Sequence, residues 1–143
     1  MAAYFDTSVL VPLFFNEVGT AAARLEIARE QSAWVSHWTL AEFSSATAFK
    51  LHTRQVTEET ATTAKRLFQQ FVASRLTVLD VLREDFVNAA GLCESTPAPG
   101  LRTPDALHLA IAQRFGLVMV TFDQALASAC GLHGVACRSR DIE

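Results

Sequence analysis

A helix with almost no solvent face constrains this chain more than any other feature. In Gly100-Leu101-Arg102-Thr103-Pro104-Asp105-Ala106-Leu107-His108-Leu109-Ala110-Ile111-Ala112 the only polar residue after Asp105 is His108, so other elements must enclose the segment on most sides. Thr103 is expected to cap the first turn by accepting from an unpaired N–H, and Pro104 suits the first helical position, where no N–H is needed. Asp105 lines up with Leu109 and Ala112, which aims a carboxylate at the interior. An ionised carboxylate is costly there unless it is paired, hydrogen-bonded or bound to a metal. Because Asp105 alone would also suit the positive end of the helix dipole, the weight falls on what else points to the same place.

The rest of the chain reads as short apolar strands alternating with helices. Strands are expected at 2–5, 33–36, 77–81, 117–120 and 135–137, the fourth apolar enough to be buried on both faces. Helices are expected at 9–15, from Gly19 and Thr20 to about 30, and at 39–54. Thr57 is expected to cap the next, which buries Ala61, Ala64, Phe68, Phe71 and Val72; two more follow at 84–94 and 124–130. Helix 84–94 is expected to turn Phe86, Ala90 and Cys93 inward. On helix 39–54, Trp38, Ser45, Ala46 and Phe49 fall on one side together with Glu42. The loop Ser95-Thr96-Pro97-Ala98-Pro99-Gly100 is rich in breakers, and Gly131 and Gly134 are expected to bracket a turn. The alternation predicts an α/β fold with a mainly parallel sheet, helices on both faces and ligands outside the carboxyl ends of its strands.

With 143 residues, 19% of them charged, the chain is expected to be one globular domain spanning 1–143. No run reaches the roughly 18 apolar residues of a membrane span, and the apolar start lacks the basic region of a signal peptide. Cys93, Cys130 and Cys137 form no CxxC pair, which suits reduced thiols and a cytoplasmic location. His37, His52, His108 and His133 lack metal-ligand spacing and are read as structural. The net charge of −3 excludes a protein held to nucleic acid by a general basic surface.

Asp6 and Asp123 follow two separate strands, Asp105 opens the helix leading to the second of them, and Glu42 begins a helix beyond a third strand. Each has an ordinary explanation as a cap, dipole partner or helix former. Together they bring four carboxylates to one edge of the sheet, where they would repel strongly unless cations compensate. Oxygen-only ligation suits Mg²⁺ or Mn²⁺ better than zinc, and such ions serve phosphodiester hydrolysis. Ser8 and Thr121 are placed to support the carboxylates by hydrogen bonds. With the four acids set aside, the remaining charges nearly balance, so a nucleic-acid substrate is compatible with the overall charge. Arg102, Lys50, Arg54, Lys65 and Arg66 are the candidate substrate-facing bases.

At Asp6-Thr7-Ser8, Ala41-Glu42-Phe43, Pro104-Asp105-Ala106-Leu107-His108-Leu109-Ala110 and Thr121-Phe122-Asp123, in that order, the chain resembles the PIN domain. The likeness is strongest to the toxin subunit of the VapBC toxin–antitoxin family. The resemblance implies a three-layer fold with a five-stranded parallel sheet and a Mg²⁺- or Mn²⁺-dependent endoribonuclease site. Asp6, Glu42, Asp105 and Asp123 match its catalytic and metal-binding quartet, and Thr121 a supporting hydroxyl. It further implies a homodimer, a VapB-type antitoxin that covers the cleft in a toxin–antitoxin hetero-oligomer, and structured RNA such as transfer or ribosomal RNA as substrate. Some relatives carry a further acid in the last motif, where this chain has Phe122 and Gln124.

Rival readings fit less well. A receiver-type phosphoacceptor would have paired acids after its first strand and a lysine after its last, whereas this chain has the single Asp6 and then Arg138. A haloacid-dehalogenase-like phosphatase would have an acid where Ser8 stands. A PIN-like module that binds RNA or protein without turnover is the remaining alternative. The phenylalanines of helix 9–15 and around Phe43 are expected to supply partner surfaces, because a small domain should not expose so many.

Overall fold

Residues 2–142 are described by a computed structural model; Met1 and Glu143, the ends of the expected domain, lie outside the described residues. The elements run β1 (Ala3–Phe5), α1 (Thr7–Phe14), α2 (Thr20–Ala28), β2 (Ala33–Ser36), α3 (His37–His52), α4 (Glu58–Arg75), β3 (Leu76–Leu79), α5 (Arg83–Ser95), α6 (Thr103–Phe115), β4 (Val118–Thr121), α7 (Gln124–Leu132) and β5 (Cys137–Ser139). All strand pairings are parallel, in the order β3-β2-β1-β4-β5. The expected parallel α/β sheet of five strands is present. The chain moves outward from β1 to β2 and β3, then returns to the other side of β1 for β4. The topological switch point therefore lies between β1 and β4, the place where open α/β sheets bind ligands.

Alternation along the strands sorts the core into two layers. Ala3, Phe5, Val35 and Val120 pack with α1 to α4, while Tyr4, Met119 and Leu79 pack with α5 to α7. Helix α6 fills the second layer. Ala106 to Ala112 are all buried, as their composition demands, and α6 ends where Gly116 takes the left-handed conformation, with φ 63°. The first layer is built on phenylalanine: Phe43 stacks on Phe68 at 3.7 Å between centroids, and Phe14 meets both edge-on.

Several expectations change in register or facing. Helix α6 starts one residue earlier than expected, so Thr103 lies inside it and Arg102 occupies the cap position without a side-chain bond. Helix α5 turns Asp85, Ala89 and Leu92 inward, with Cys93 partly buried beside them as expected, whereas Phe86 and Ala90 face outward and Phe86 is 54% exposed. The rotation is fixed by Asp85, which accepts the Leu82 N–H and a two-pronged ion pair from Arg114. On α3 the buried face is Thr39, Phe43 and Thr47, with Phe49 63% exposed, because the Phe43–Phe68 stack sets the helix rotation. On the two helices expected to supply partner surfaces, Phe15 and Phe43 are buried and Phe14 is partly buried against the core, while Phe49 stays open.

Gly131 falls inside α7, so the turn centres on Gly134 and the last strand begins at Cys137. Behind that strand, buried Glu26 accepts from Arg138 and Arg140, tying the C-terminal segment to α2. Cys93, Cys130 and Cys137 are free thiols. Among the described residues, no helix is long and apolar enough to cross a membrane.

Candidate functional site

The carboxyl ends of β1 and β4 meet in a network of side-chain hydroxyls. Asp6 leaves β1 with its N–H on the Val120 carbonyl and is only 3% exposed. It holds the cap position of α1, yet its side chain caps nothing. Its two oxygens instead accept from Ser8 Oγ at 2.6 Å and Thr121 Oγ1 at 3.0 Å. Ser8 Oγ also accepts the Phe122 N–H at 2.9 Å, so the expected supporting roles of Ser8 and Thr121 have a physical form. Asp123 does cap: its Oδ1 accepts the Leu126 N–H at 3.1 Å, which fixes the carboxylate at the start of α7.

Glu42 reaches the same edge from α3. Ser36 anchors that helix by accepting the Thr39 N–H, while its own N–H donates to Thr39 Oγ1. Glu42 Oε1 accepts from Thr7 Oγ1 at 2.6 Å and from His108 Nε2. Asp105 is half-buried in the first turn of α6, one turn before His108. Trp38 secures that turn by donating to the Pro104 carbonyl at 3.2 Å.

The carboxylates feel one another. Burial pushes Asp6 up to about 6, and the charge on Asp105 adds to the rise. Burial also raises Asp105, followed by repulsion from Asp123 and a smaller contribution from Glu42, with His108 and then Arg102 pulling the other way. Burial likewise favours the neutral form of Glu42, but hydrogen bonds from His108 and Thr7 help outweigh it, and Glu42 stays below its ordinary value. Burial is thus the leading influence on all three, and repulsion between carboxylates adds to it at Asp6 and Asp105.

A hard divalent cation fits that donor set, since it consists of oxygens and its excess negative charge is what a cation would relieve. The carboxylates are not already closed around a point: among the described residues, no three His, Cys, Asp or Glu side chains form a ready-made metal cage. Of the candidate bases, Arg102 acts electrostatically on Asp105, whereas Lys50 is tied to Glu17 at 2.8 Å and lies over the Phe15 ring.

Sequence reasoning missed the buried groups behind the acids. His108, read as structural from its lack of metal-ligand spacing, bonds Glu42 on one side and Tyr4 on the other. The usable signal was its isolation: one polar residue in an apolar helix, three positions from Asp105 and therefore on a neighbouring part of the same face. Thr7, which lies inside the first motif, had no signal of its own.

No match is found among curated proteins. Among solved structures the chain is similar to FitAcB from Neisseria gonorrhoeae, with a TM-score of 0.72 and 17% identity over 94% of this chain and 95% of that one. It is also similar to the sarcin–ricin loop cleaving toxin VapC20 of Mycobacterium tuberculosis, with a TM-score of 0.71 and 17% identity over 90% and 95% of the two chains. A toxin–antitoxin complex from Klebsiella pneumoniae gives a TM-score of 0.68 and 20% identity over 94% and 96%. These likenesses concern the fold. The sequence model of the PIN domain matches residues 3–132. That span runs from β1 to the end of α7 and takes in all four carboxylates, and on it the chain belongs to the PIN domain family.

Proposed function

We propose that this chain is the toxin of a type II toxin–antitoxin system, a Mg²⁺- or Mn²⁺-dependent endoribonuclease restrained by a VapB-type antitoxin. What supports the reading is the placement of Asp6, Glu42, Asp105 and Asp123 on the elements around the switch point of a PIN-family sheet, where burial first, and then the charges of Asp123 and Glu42, raise Asp105. Membership of the family supports the nuclease assignment. The toxin–antitoxin proteins among its structural relatives support the toxin assignment and an antitoxin partner. A structured RNA loop is the proposed substrate, and a cytoplasmic homodimer the proposed working form.

In this reading Asp6, Glu42, Asp105 and Asp123 hold the ion. When bound, the ion supplies Lewis-acid stabilisation of charge on the scissile phosphate. The chain's own contributions are positional. Ser8 and Thr121 fix both oxygens of Asp6, and the α7 cap bond holds Asp123. Arg102, at the rim beside Asp105, supplies a positive charge for an incoming phosphate.

The experiment is expression of the chain in a bacterial host. The wild type should arrest growth and leave discrete new RNA ends, while Asp105→Asn should do neither. Normal growth and intact RNA with the wild type at high intracellular level would contradict the assignment.

A further inference from the structure

Behind the carboxylates a line of hydrogen bonds runs from the cap of α3, through the core, to Glu42 on the same helix. Tyr4, fully buried on β1, places its hydroxyl 2.9 Å from Ser36 Oγ and 2.7 Å from His108 Nδ1. Ser36 is the cap of α3. His108, 1% exposed on α6, turns Nε2 to Glu42 Oε1. Three elements, β1, α3 and α6, are thereby fixed to one another through two side chains.

The chemistry of the ends sets the direction of the line. A carboxylate oxygen only accepts, so Nε2 must carry the proton it shares with Glu42. In a neutral ring Nδ1 then has a lone pair, which the Tyr4 hydroxyl is placed to fill by donating. Ser36 in turn can donate to Tyr4, because its oxygen already accepts the Thr39 N–H.

At Glu42 the two oxygens differ. Oε1 accepts both from Thr7 Oγ1 and from His108 Nε2, which fills its in-plane lone pairs. Oε2 accepts from no group among the described residues, and the side chain keeps 24% of its surface open. We propose that His108 is a positioning residue that fills Glu42 Oε1 and so presents Oε2 alone as the oxygen ligand for a divalent ion. The inference rests on the metal-dependent reading given above. It adds which oxygen of Glu42 is left open to a ligand, which side chain decides that, and why a histidine stands in an otherwise apolar helix.

The test contrasts two substitutions of similar size in the full chain. His108→Gln can place an amide N–H where Nε2 stands, while His108→Asn can reach Tyr4 but falls short of Glu42. Titration calorimetry with Mn²⁺ is run on both variants and the wild type, with thermal melts to confirm folding. His108→Asn should bind about 10-fold or more weakly, the usual scale for losing the partner that orients a ligand, and His108→Gln should stay within about 3-fold of wild type. Equal affinities in the two variants, whether both weakened or both unchanged, would overturn the proposal.

Nitrogen-15 spectra of the wild-type imidazole give a second readout that needs no variant. A proton on Nε2 is expected, and a bare Nε2 would overturn the proposal. Wild type that takes up no Mn²⁺ would bring down the metal-dependent reading and this inference together. Wild-type binding matched by both variants would remove this inference alone.

Discussion

Thr121 Oγ1 donates to Asp6 Oδ2 at 3.0 Å and accepts the Asp123 N–H at 3.0 Å, so one buried hydroxyl joins the end of β1 to the loop after β4. Thr121→Val keeps the shape but breaks both bonds. It should cost about 1–2 kcal/mol in urea unfolding, because the Asp123 N–H and one Asp6 oxygen lose their partner. It should also weaken Mn²⁺ binding about 10-fold by loosening two proposed ligands. Thr121→Ser retains the hydroxyl and should recover most of both.

Asp6 should set the pH dependence of the metal-free protein. Its carboxyl is raised by burial from 3.8 to about 6 in the folded chain, so the folded state binds the proton more tightly than the unfolded state does. The stability associated with that proton is fully present below the ordinary carboxylate range and is lost as pH rises through about 6. In EDTA, Asp6→Asn should therefore be more stable than wild type at pH 8, by up to about 3 kcal/mol, and the advantage should shrink toward pH 4. A lower melting temperature for Asp6→Asn at pH 8 would show that the carboxylate is a structural requirement.

Asp85 should matter to folding and leave the chemistry alone. It is fully buried against Arg114, with Nε to Oδ1 at 2.7 Å and Nη2 to Oδ2 at 2.9 Å. Asp85→Ala leaves the Leu82 N–H without its partner and Arg114 with only the Asp80 carbonyl, at a cost of about 1–3 kcal/mol. Denaturant melts should show that loss, with RNA cleavage at low temperature unchanged.

Phe43 links α1, α3 and α4 through its stack on Phe68 and its edge contact with Phe14. Phe43→Ala should cost about 3–5 kcal/mol. Because the next residue back is Glu42, metal affinity should fall in the same variant.

The parallel α/β fold was legible because its signals are local. The apolar run Leu117-Val118-Met119-Val120, short and followed by Thr121-Phe122-Asp123, reads as a strand buried on both faces, and a helix as apolar as α6 must be covered by others. The carboxylates were legible as acids placed at strand ends or helix starts. The facing of α5 was not, because periodicity favours Phe86 inward, whereas the ion pair of Asp85 with Arg114, 29 residues away in sequence, decides the rotation. His108 escaped for a similar reason: its partners Tyr4 and Glu42 lie 104 and 66 residues away, and nothing near it in sequence announces them.

The central claim is metal-dependent cleavage of RNA at the four carboxylates. It is tested most directly by incubating purified protein with end-labelled total RNA in Mg²⁺, Mn²⁺ or EDTA, beside Asp6→Asn. Discrete fragments that require the metal and disappear in Asp6→Asn are the predicted result. RNA left intact by wild type in both metals, or cut equally in EDTA, would contradict it.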